Sequence, residues 1–351
     1  MKRVGIITII DNENCGNRLQ NYALQETLKK LDIESITLKN DKLLNSPTNY
    51  TTNYLRYIKK VILNYLQTNK TLKKNFKEFN SHINFSKRKI TCKTKNIKEK
   101  YDYFITGSDQ VWKPTRKRMS DIDLLCFANN EQKIAYAASF GVDTINETAK
   151  QKLRKYLPTF KNISVREDAG KRIIEESTSL RNVEVVLDPT MLLTNIEWEK
   201  LERNPLKEEK KNYVLAYFLG SEALDELSNI CKKEKLELIN FYEESNHYGP
   251  MEFLYLIHHA KLIVTDSFHG SVFSILYHKD FYVLNRIEND KNNNMTSRLD
   301  TLLNSLNIKD RWLTNINKIE INKKINYKEV EKLLKERRKK SINFLKTSLN
   351  K

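Results

Sequence analysis

Five short polar clusters hold the residues best suited to chemistry: Asn14-Cys15-Gly16-Asn17, Gly107-Ser108-Asp109-Gln110, Ser139-Phe140-Gly141, Arg166-Glu167-Asp168 and Asp266-Ser267-Phe268-His269-Gly270. His269 can give or take a proton near neutral pH. Arg166 can grip a phosphate or carboxylate with two parallel N–H bonds. Asp109 can orient a hydroxyl or accept its proton. Each has a plainer alternative: helix capping or packing for His269, an ion pair with Glu167 or Asp188 for Arg166, a turn for Asp109. Asp188-Pro189 reads as a structural turn. Nothing near Cys15 lowers its pKa, so it is not expected to act as a nucleophile. His258 and His259 are neighbours expected to point to different sides of a helix, so no metal site is predicted. Neither common glycine-rich phosphate loop is present.

The clusters gain meaning from the elements that must position them. Each follows a short apolar run read as a strand: Lys2–Ile10, Tyr103–Thr106, Lys133–Ala138, Ile163–Val165 and Leu262–Thr265. Leu19, Tyr22, Ala23, Leu28 and Leu31 recur at helical spacing, and Ser35–Leu38 follows as a strand. Strand, loop, helix, strand is the opening of a parallel doubly wound sheet. Val183–Leu187 closes this half, and the charged stretch Asn204–Asn212 reads as a linker. The pattern restarts with strand Tyr213–Leu219, helix Glu222–Lys235, strand Leu236–Phe241, helix Pro250–His259, helix Ser267–Tyr277 and strand Phe281–Leu284. The predicted architecture is α/β, with two Rossmann-like domains and a central cleft. Residues 1–200 form the first domain, carrying a basic helical insert at about 45–100, and residues 212–315 form the second. Residues 316–351 form a basic C-terminal helical segment. Ligands in such sheets collect beyond the carboxyl ends of the strands, where all five clusters fall.

Charge is distributed unevenly. Of the net +18, residues 54–100 carry +12 and residues 318–351 carry +8, leaving −2 for the body. The appendages could meet an anionic membrane surface or a phosphorylated substrate. Tyr54–Leu66 is read as an amphipathic helix, and Val330, Leu334 and Leu345 accompany the basic run at 337–340. No recognition module for nucleic acid accompanies them. No apolar run reaches the roughly 18 residues of a membrane span. The four cysteines lie far apart in sequence, which argues against a disulfide framework and suggests a reducing cytoplasm.

In order, Gly16–Leu24 (Gly-Asn-Arg-Leu-Gln-Asn-Tyr-Ala-Leu), Gly107–Trp112, Ala137–Gly141, Ser164–Glu167, Leu187–Thr190 and Ser267–Gly270 resemble the motif series of the polysaccharide pyruvyl transferase family. The resemblance implies a fold like that of the glycosyltransferase B class. It also implies an enzyme that moves pyruvate from phosphoenolpyruvate, a co-substrate rather than a cofactor, onto two hydroxyls of a sugar to form a ketal. His269 and Asp109 are then the expected catalytic residues. Arg166, Arg286, Ser267 and Gly270 fall on the donor side, in the second domain's half of the cleft or at its edge. Asn17, Ser108, Gln110 and Ser139 fall on the acceptor side or in the cleft. Ser267 stands where the family's histidine motif has arginine, and Arg286 is the expected substitute. The expected partners are phosphoenolpyruvate, a lipid- or nucleotide-linked sugar acceptor and an anionic membrane surface at the inner face, with no nucleic acid. Two other functions fit the same pattern: a nucleotide-sugar-dependent glycosyltransferase of this architecture, and a non-catalytic glycan- or membrane-binding protein.

Overall fold

A computed structural model describes residues 1–10, 14–40, 70–114, 118–206, 208, 212–220, 223–243, 247–286 and 296–350. The amphipathic helix expected at 54–66 lies outside these residues.

The N-terminal half is a six-stranded parallel sheet: β1 (Lys2–Ile7), β2 (Ile33–Thr37), β3 (Tyr103–Thr106), β4 (Lys133–Ala138), β5 (Asn162–Val165) and β6 (Val183–Val185), in spatial order β2-β1-β3-β4-β5-β6. The second half holds β7 (Tyr213–Tyr217), β8 (Glu237–Asn240), β9 (Leu262–Thr265), β10 (Phe281–Leu284) and β11 (Trp312–Leu313), in order β11-β10-β9-β7-β8. β4 and β9 are buried along their whole length, as continuous apolar runs are when helices cover both faces of a parallel sheet. In each sheet the chain reverses its direction of travel across the strands, at β1/β3 and at β7/β9, and each reversal opens a crevice at the carboxyl edge.

The helices are α1 (Cys15–Lys30), α2 (Lys70–Asn80), α3 (Glu147–Tyr156), α4 (Asp168–Ser177), α5 (Asn195–Glu199), α6 (Leu224–Lys233), α7 (Pro250–His259), α8 (Phe268–Leu276), α9 (Ser297–Ser305) and α10 (Tyr327–Ser348). One apolar core runs through both halves, from Val4, Leu19 and Leu24 to Phe253, Val272 and Leu303. Trp198 joins them directly: its ring contacts Tyr22 on α1 at 5.6 Å and Phe273 on α8 at 5.0 Å.

α10 corrects the expectation of a membrane-facing C-terminal helix. Val330, Leu334 and Leu345 are buried, because the helix returns to the first sheet and spends its apolar side there. The Leu187 N–H donates to Ser341 Oγ (2.9 Å), Arg338 Nε donates to the Met191 carbonyl (2.7 Å), and Lys161 Nζ donates to the Ser348 carbonyl (3.0 Å). The cysteine reading is corrected too. Cys92 and Cys126 form a disulfide with Cα atoms 5.7 Å apart. Both border the small apolar cluster of Leu38, Ile90, Phe104 and Leu125, and this shared packing, invisible in their 34-residue separation, brings them together. Among the described residues no helix is long and apolar enough to cross a membrane.

Candidate active site

α1 begins where β1 ends. Asn14 caps it by accepting from the Asn17 N–H (3.2 Å), which sets Gly16 and Asn17 in the first turn. α8 begins the same way after β9: Ser267 Oγ accepts from the Gly270 N–H (3.4 Å), and His269 follows in the first turn. The two helix starts meet. A Cβ placed on Gly16 would lie 2.1 Å from His269 Nδ1, so only glycine lets the imidazole of one half rest on the helix of the other.

Opposite His269, the centre of the site is Asp188, the residue read from sequence as a turn. Its Oδ1 accepts from Thr190 N (3.0 Å) and Thr190 Oγ1 (2.7 Å), and its Oδ2 accepts from Ser108 Oγ (2.9 Å) and Arg166 Nη1 (2.6 Å). His269 Nε2 stands 3.8 Å from the same Oδ2, an ion-pair distance rather than a hydrogen bond. Burial alone would raise the Asp188 carboxyl. His269, Arg166 and Thr190 overcome it and hold the group well below the usual carboxylate range.

Asp109 completes the cluster. Its backbone sits in the left-handed region (φ 68°), which aspartate tolerates better than most residues, and its Oδ1 lies 3.5 Å from Arg166 Nη2. Burial again opposes ionisation, but Arg166, His269, Arg118 and Arg298 hold this carboxyl below its ordinary value. A carboxylate held down in this way is a poor base, which favours the orienting role over proton abstraction.

The structure therefore gathers His269, Asp109, Arg166, Asn17 and Ser108 into one region. Other expected site residues have different work. Ser139 is fully buried, and its hydroxyl donates to Glu167 Oε1 (2.9 Å), which also takes the Phe140 N–H (2.8 Å); it ties two loops together instead of facing a cleft. Gln110 accepts from Arg118 Nη1 (2.8 Å). Ser267 is occupied as a helix cap. Gly270 is a packing glycine, since a Cβ there would come within 2.5 Å of Thr265 Oγ1. Arg166 and Arg286, expected to touch a donor directly, are each committed to a carboxylate. Arg166 pairs with Asp188 as above, and Arg286 Nε lies 3.3 Å from Asp266 Oδ2. Asp266 in turn accepts the Leu219 N–H (2.7 Å) and so clasps the β7/β9 crevice. Cys15 is buried, which pushes its thiol up, away from nucleophilic use.

Arg298 was missed by sequence reasoning. It comes from α9, whose Thr301, one turn on, accepts the Asp168 N–H at the start of α4 (3.1 Å) and so docks this face of α9 on the first domain. The Phe268 ring is approached by two guanidinium groups, Arg166 at 4.4 Å and Arg298 at 5.9 Å from its centroid. Burial first, then repulsion by Arg166, pulls Arg298 down to about 10, still a cation at neutral pH. A lone arginine in a polar helix gave no signal of this.

The expectation that His258 and His259 point to different sides of their helix is also corrected. The two rings reach one carboxylate: Nδ1 of His258 lies 2.9 Å from Glu202 Oε1, and Nε2 of His259 lies 3.5 Å from Glu202 Oε2. Using the near nitrogen of one ring and the far nitrogen of the other cancels the turn between adjacent helical positions. The trio lies at the carboxyl end of α7, before β9, and therefore at the sheet edge away from the cleft.

Comparison with known proteins places this geometry. Solved structures of similar architecture include the UDP-GlcNAc 2-epimerase of Methanocaldococcus jannaschii in complex with UDP-GlcNAc and UDP (13% identity, TM-score 0.46, covering 95% of this chain and 98% of that one). The UDP-N-acetylglucosamine 2-epimerase of Rickettsia bellii is similar (12% identity, TM-score 0.47, 100% and 97%), as is a glycosyltransferase from Streptomyces sp. SF2575 (10% identity, TM-score 0.41, 96% and 95%). No curated protein sequence matches the chain. The family model for polysaccharide pyruvyl transferase matches residues 14–288, a span that runs from the α1 cap past Arg286 and takes in His269, Asp188, Arg166 and Asp109. The chain belongs to the polysaccharide pyruvyl transferase family.

Proposed function

We propose that this cluster moves a pyruvyl group from phosphoenolpyruvate onto two hydroxyls of a sugar in a surface-polysaccharide precursor, forming a cyclic ketal. Family membership supports a transferase. One observation supports the anionic donor: Arg166 Nε is buried with no hydrogen-bond partner among the described residues, and Arg166 Nη2 and His269 Nε2 have only the longer contacts to Asp109 and Asp188. Buried polar groups left unpaired are costly, and the carboxylate and phosphate oxygens of phosphoenolpyruvate are suitable acceptors. Arg298, near Phe268, supplies the second cation that Ser267 does not.

His269 delivers a proton to the methylene carbon of the enol, leaving the adjacent carbon electrophilic, and Asp188 stabilises the imidazolium before transfer. A sugar hydroxyl, oriented by Asp109, adds to that carbon and returns a proton to His269. The carbon–oxygen bond to phosphate breaks, the second hydroxyl closes the ring, and its proton leaves with phosphate. A small cavity lined by Arg166, Asp188, Phe268, Arg298, Thr301 and Arg337 borders the cluster on the side of the two cations.

The basic segments support residence at an anionic membrane face, where lipid-linked acceptors are held. With the apolar side of α10 buried, attachment through it rests on charge alone. The test is incubation with phosphoenolpyruvate and lipid- or nucleotide-linked sugars, following phosphate release and the pyruvyl mass gain. Neither signal, together with thermal stabilisation by a nucleoside diphosphate but not by phosphoenolpyruvate, overturns the proposal.

A further inference from the structure

We propose that Glu202, His258 and His259 form a binding site for a divalent transition-metal cation of the zinc class, separate from the cleft. The three ligand atoms, two imidazole nitrogens and a carboxylate oxygen, lie within 4.8 Å of one another. Among the described residues no other group of three or more potential ligands does so. Zinc bonds of about 2.0–2.2 Å in tetrahedral geometry place ligand atoms roughly 3.3 Å apart. The two nitrogens now face different oxygens of Glu202, His259 Nε2 at 3.5 Å from Oε2 and His258 Nδ1 at 2.9 Å from Oε1, so the carboxylate must turn a little to offer one oxygen to an ion between the rings.

The ligands are held in place before any ion arrives. Tyr277 stacks on the His258 ring at 4.5 Å with planes 9° apart, and Tyr255 stacks on the His259 ring at 4.1 Å and 26°. A second observation points the same way. The Tyr277 hydroxyl is buried and lies within reach of Glu202, with which it interacts. It can support the carboxylate when an ion is bound, the outer support that metal-binding carboxylates usually have.

The site opens onto a groove of about 430 Å³ lined by His258, His259, Lys261, His278, Lys279 and Lys324. Three protein ligands leave a fourth position toward this groove for water. Its neighbouring charges are not all cationic, since Lys324 is paired with Asp280 at 2.8 Å. Glu202 follows α5 at the end of the first domain, and the histidines end α7 of the second. A bound ion would therefore pin the connection between the domains on the side away from the cleft.

The test uses the full-length protein, freed of metal with a chelator and titrated with Co²⁺ and then Zn²⁺. The expected result is one equivalent of Co²⁺ giving visible d–d absorption, displaced by Zn²⁺, with the melting temperature raised by several degrees. Glu202→Gln should weaken binding at least tenfold and His258→Gln/His259→Gln at least a hundredfold, while His269→Ala leaves it unchanged. Circular dichroism checks folding, and Glu202→Gln alone decides the matter should the double variant fail to fold. No d–d band in the wild type, or undiminished affinity in Glu202→Gln, overturns the proposal.

Discussion

Gly16→Ala tests the cleft with one methyl group. The new Cβ would lie 2.1 Å from Nδ1, 2.5 Å from Cγ and 2.7 Å from Cε1 of His269. Non-bonded carbon contacts are comfortable only at about 3.5–4.0 Å, so the imidazole must retreat by roughly 1 Å or more. The stability cost should be modest. Overpacking costs about 1–3 kcal/mol, and alanine in a helix returns up to about 1 kcal/mol relative to glycine. The catalytic cost should be larger, because a misplacement of about 1 Å can lower a rate about a hundredfold, equivalent to about 2.7 kcal/mol of barrier. The assay compares phosphate release from phosphoenolpyruvate, in the presence of acceptor, with thermal melting in the presence and absence of donor. The expected variant melts within several degrees of wild type, is still stabilised by phosphoenolpyruvate, and turns over about a hundredfold more slowly. Wild-type turnover would show that the ring's seat on α1 does not matter to the reaction. A collapse in melting temperature would show that the contact serves folding instead.

Four further outcomes follow from the same geometry. Arg298→Ala should weaken phosphoenolpyruvate binding about tenfold to a hundredfold by calorimetry, the scale of a lost charge-assisted contact, and Ser267→Arg should recover part of it. Asp188→Asn should cost about 3 kcal/mol in denaturant unfolding, because it leaves the buried Arg166 only the longer contact to Asp109. The Asp188 carboxyl is depressed in the folded state, so its contribution is complete above the ordinary carboxylate range and is lost as pH falls through and below it; the stability gap between wild type and Asp188→Asn should narrow on acidification. Cys92→Ser and reduction by dithiothreitol should destabilise equally, by about 3–4 kcal/mol on the loop-closure estimate for a 34-residue separation, and reduction should not affect the variant. Binding to anionic but not zwitterionic vesicles should weaken with salt and vanish when lysines 73, 74 and 77 become glutamate; equal binding to both vesicle types refutes an electrostatic attachment.

The strands were legible because parallel sheets write themselves as continuous apolar runs. β3, β4, β9 and β10 fall on the expected residues. The expected strands Lys2–Ile10 and Val183–Leu187 ran too long, because the apolar residues past Ile7 and Val185 are buried by the loops that leave the sheet, not by strand pairing. β11, only two residues long, and the helices α3 and α9, each with few apolar residues, were missed. The C-terminal helix was expected, as was its return to the first domain in a glycosyltransferase-B-like fold. What the sequence did not show is that this return consumes the apolar stripe that was assigned to a membrane surface.

The site was legible to the extent that chemistry follows from position in the chain. Strand ends followed by polar residues pointed to His269, Asp109 and Arg166, which the fold brings together around Asp188. What sequence could not supply was direction. Asp188 resembled a turn because it is one, with its side chain bonding its own Thr190, and nothing local shows that its other oxygen takes Arg166 and Ser108. Ser139 and Ser108 have the same residue type and similar settings, yet one hydroxyl braces a loop and the other braces the central carboxylate. Arg298 reaches the cluster only because Thr301 docks α9 against α4, a contact between residues 133 positions apart. What the fold adds at this point is a second cation near Phe268 that the motif itself does not carry, and Arg298→Ala is the variant that decides whether the reaction uses it.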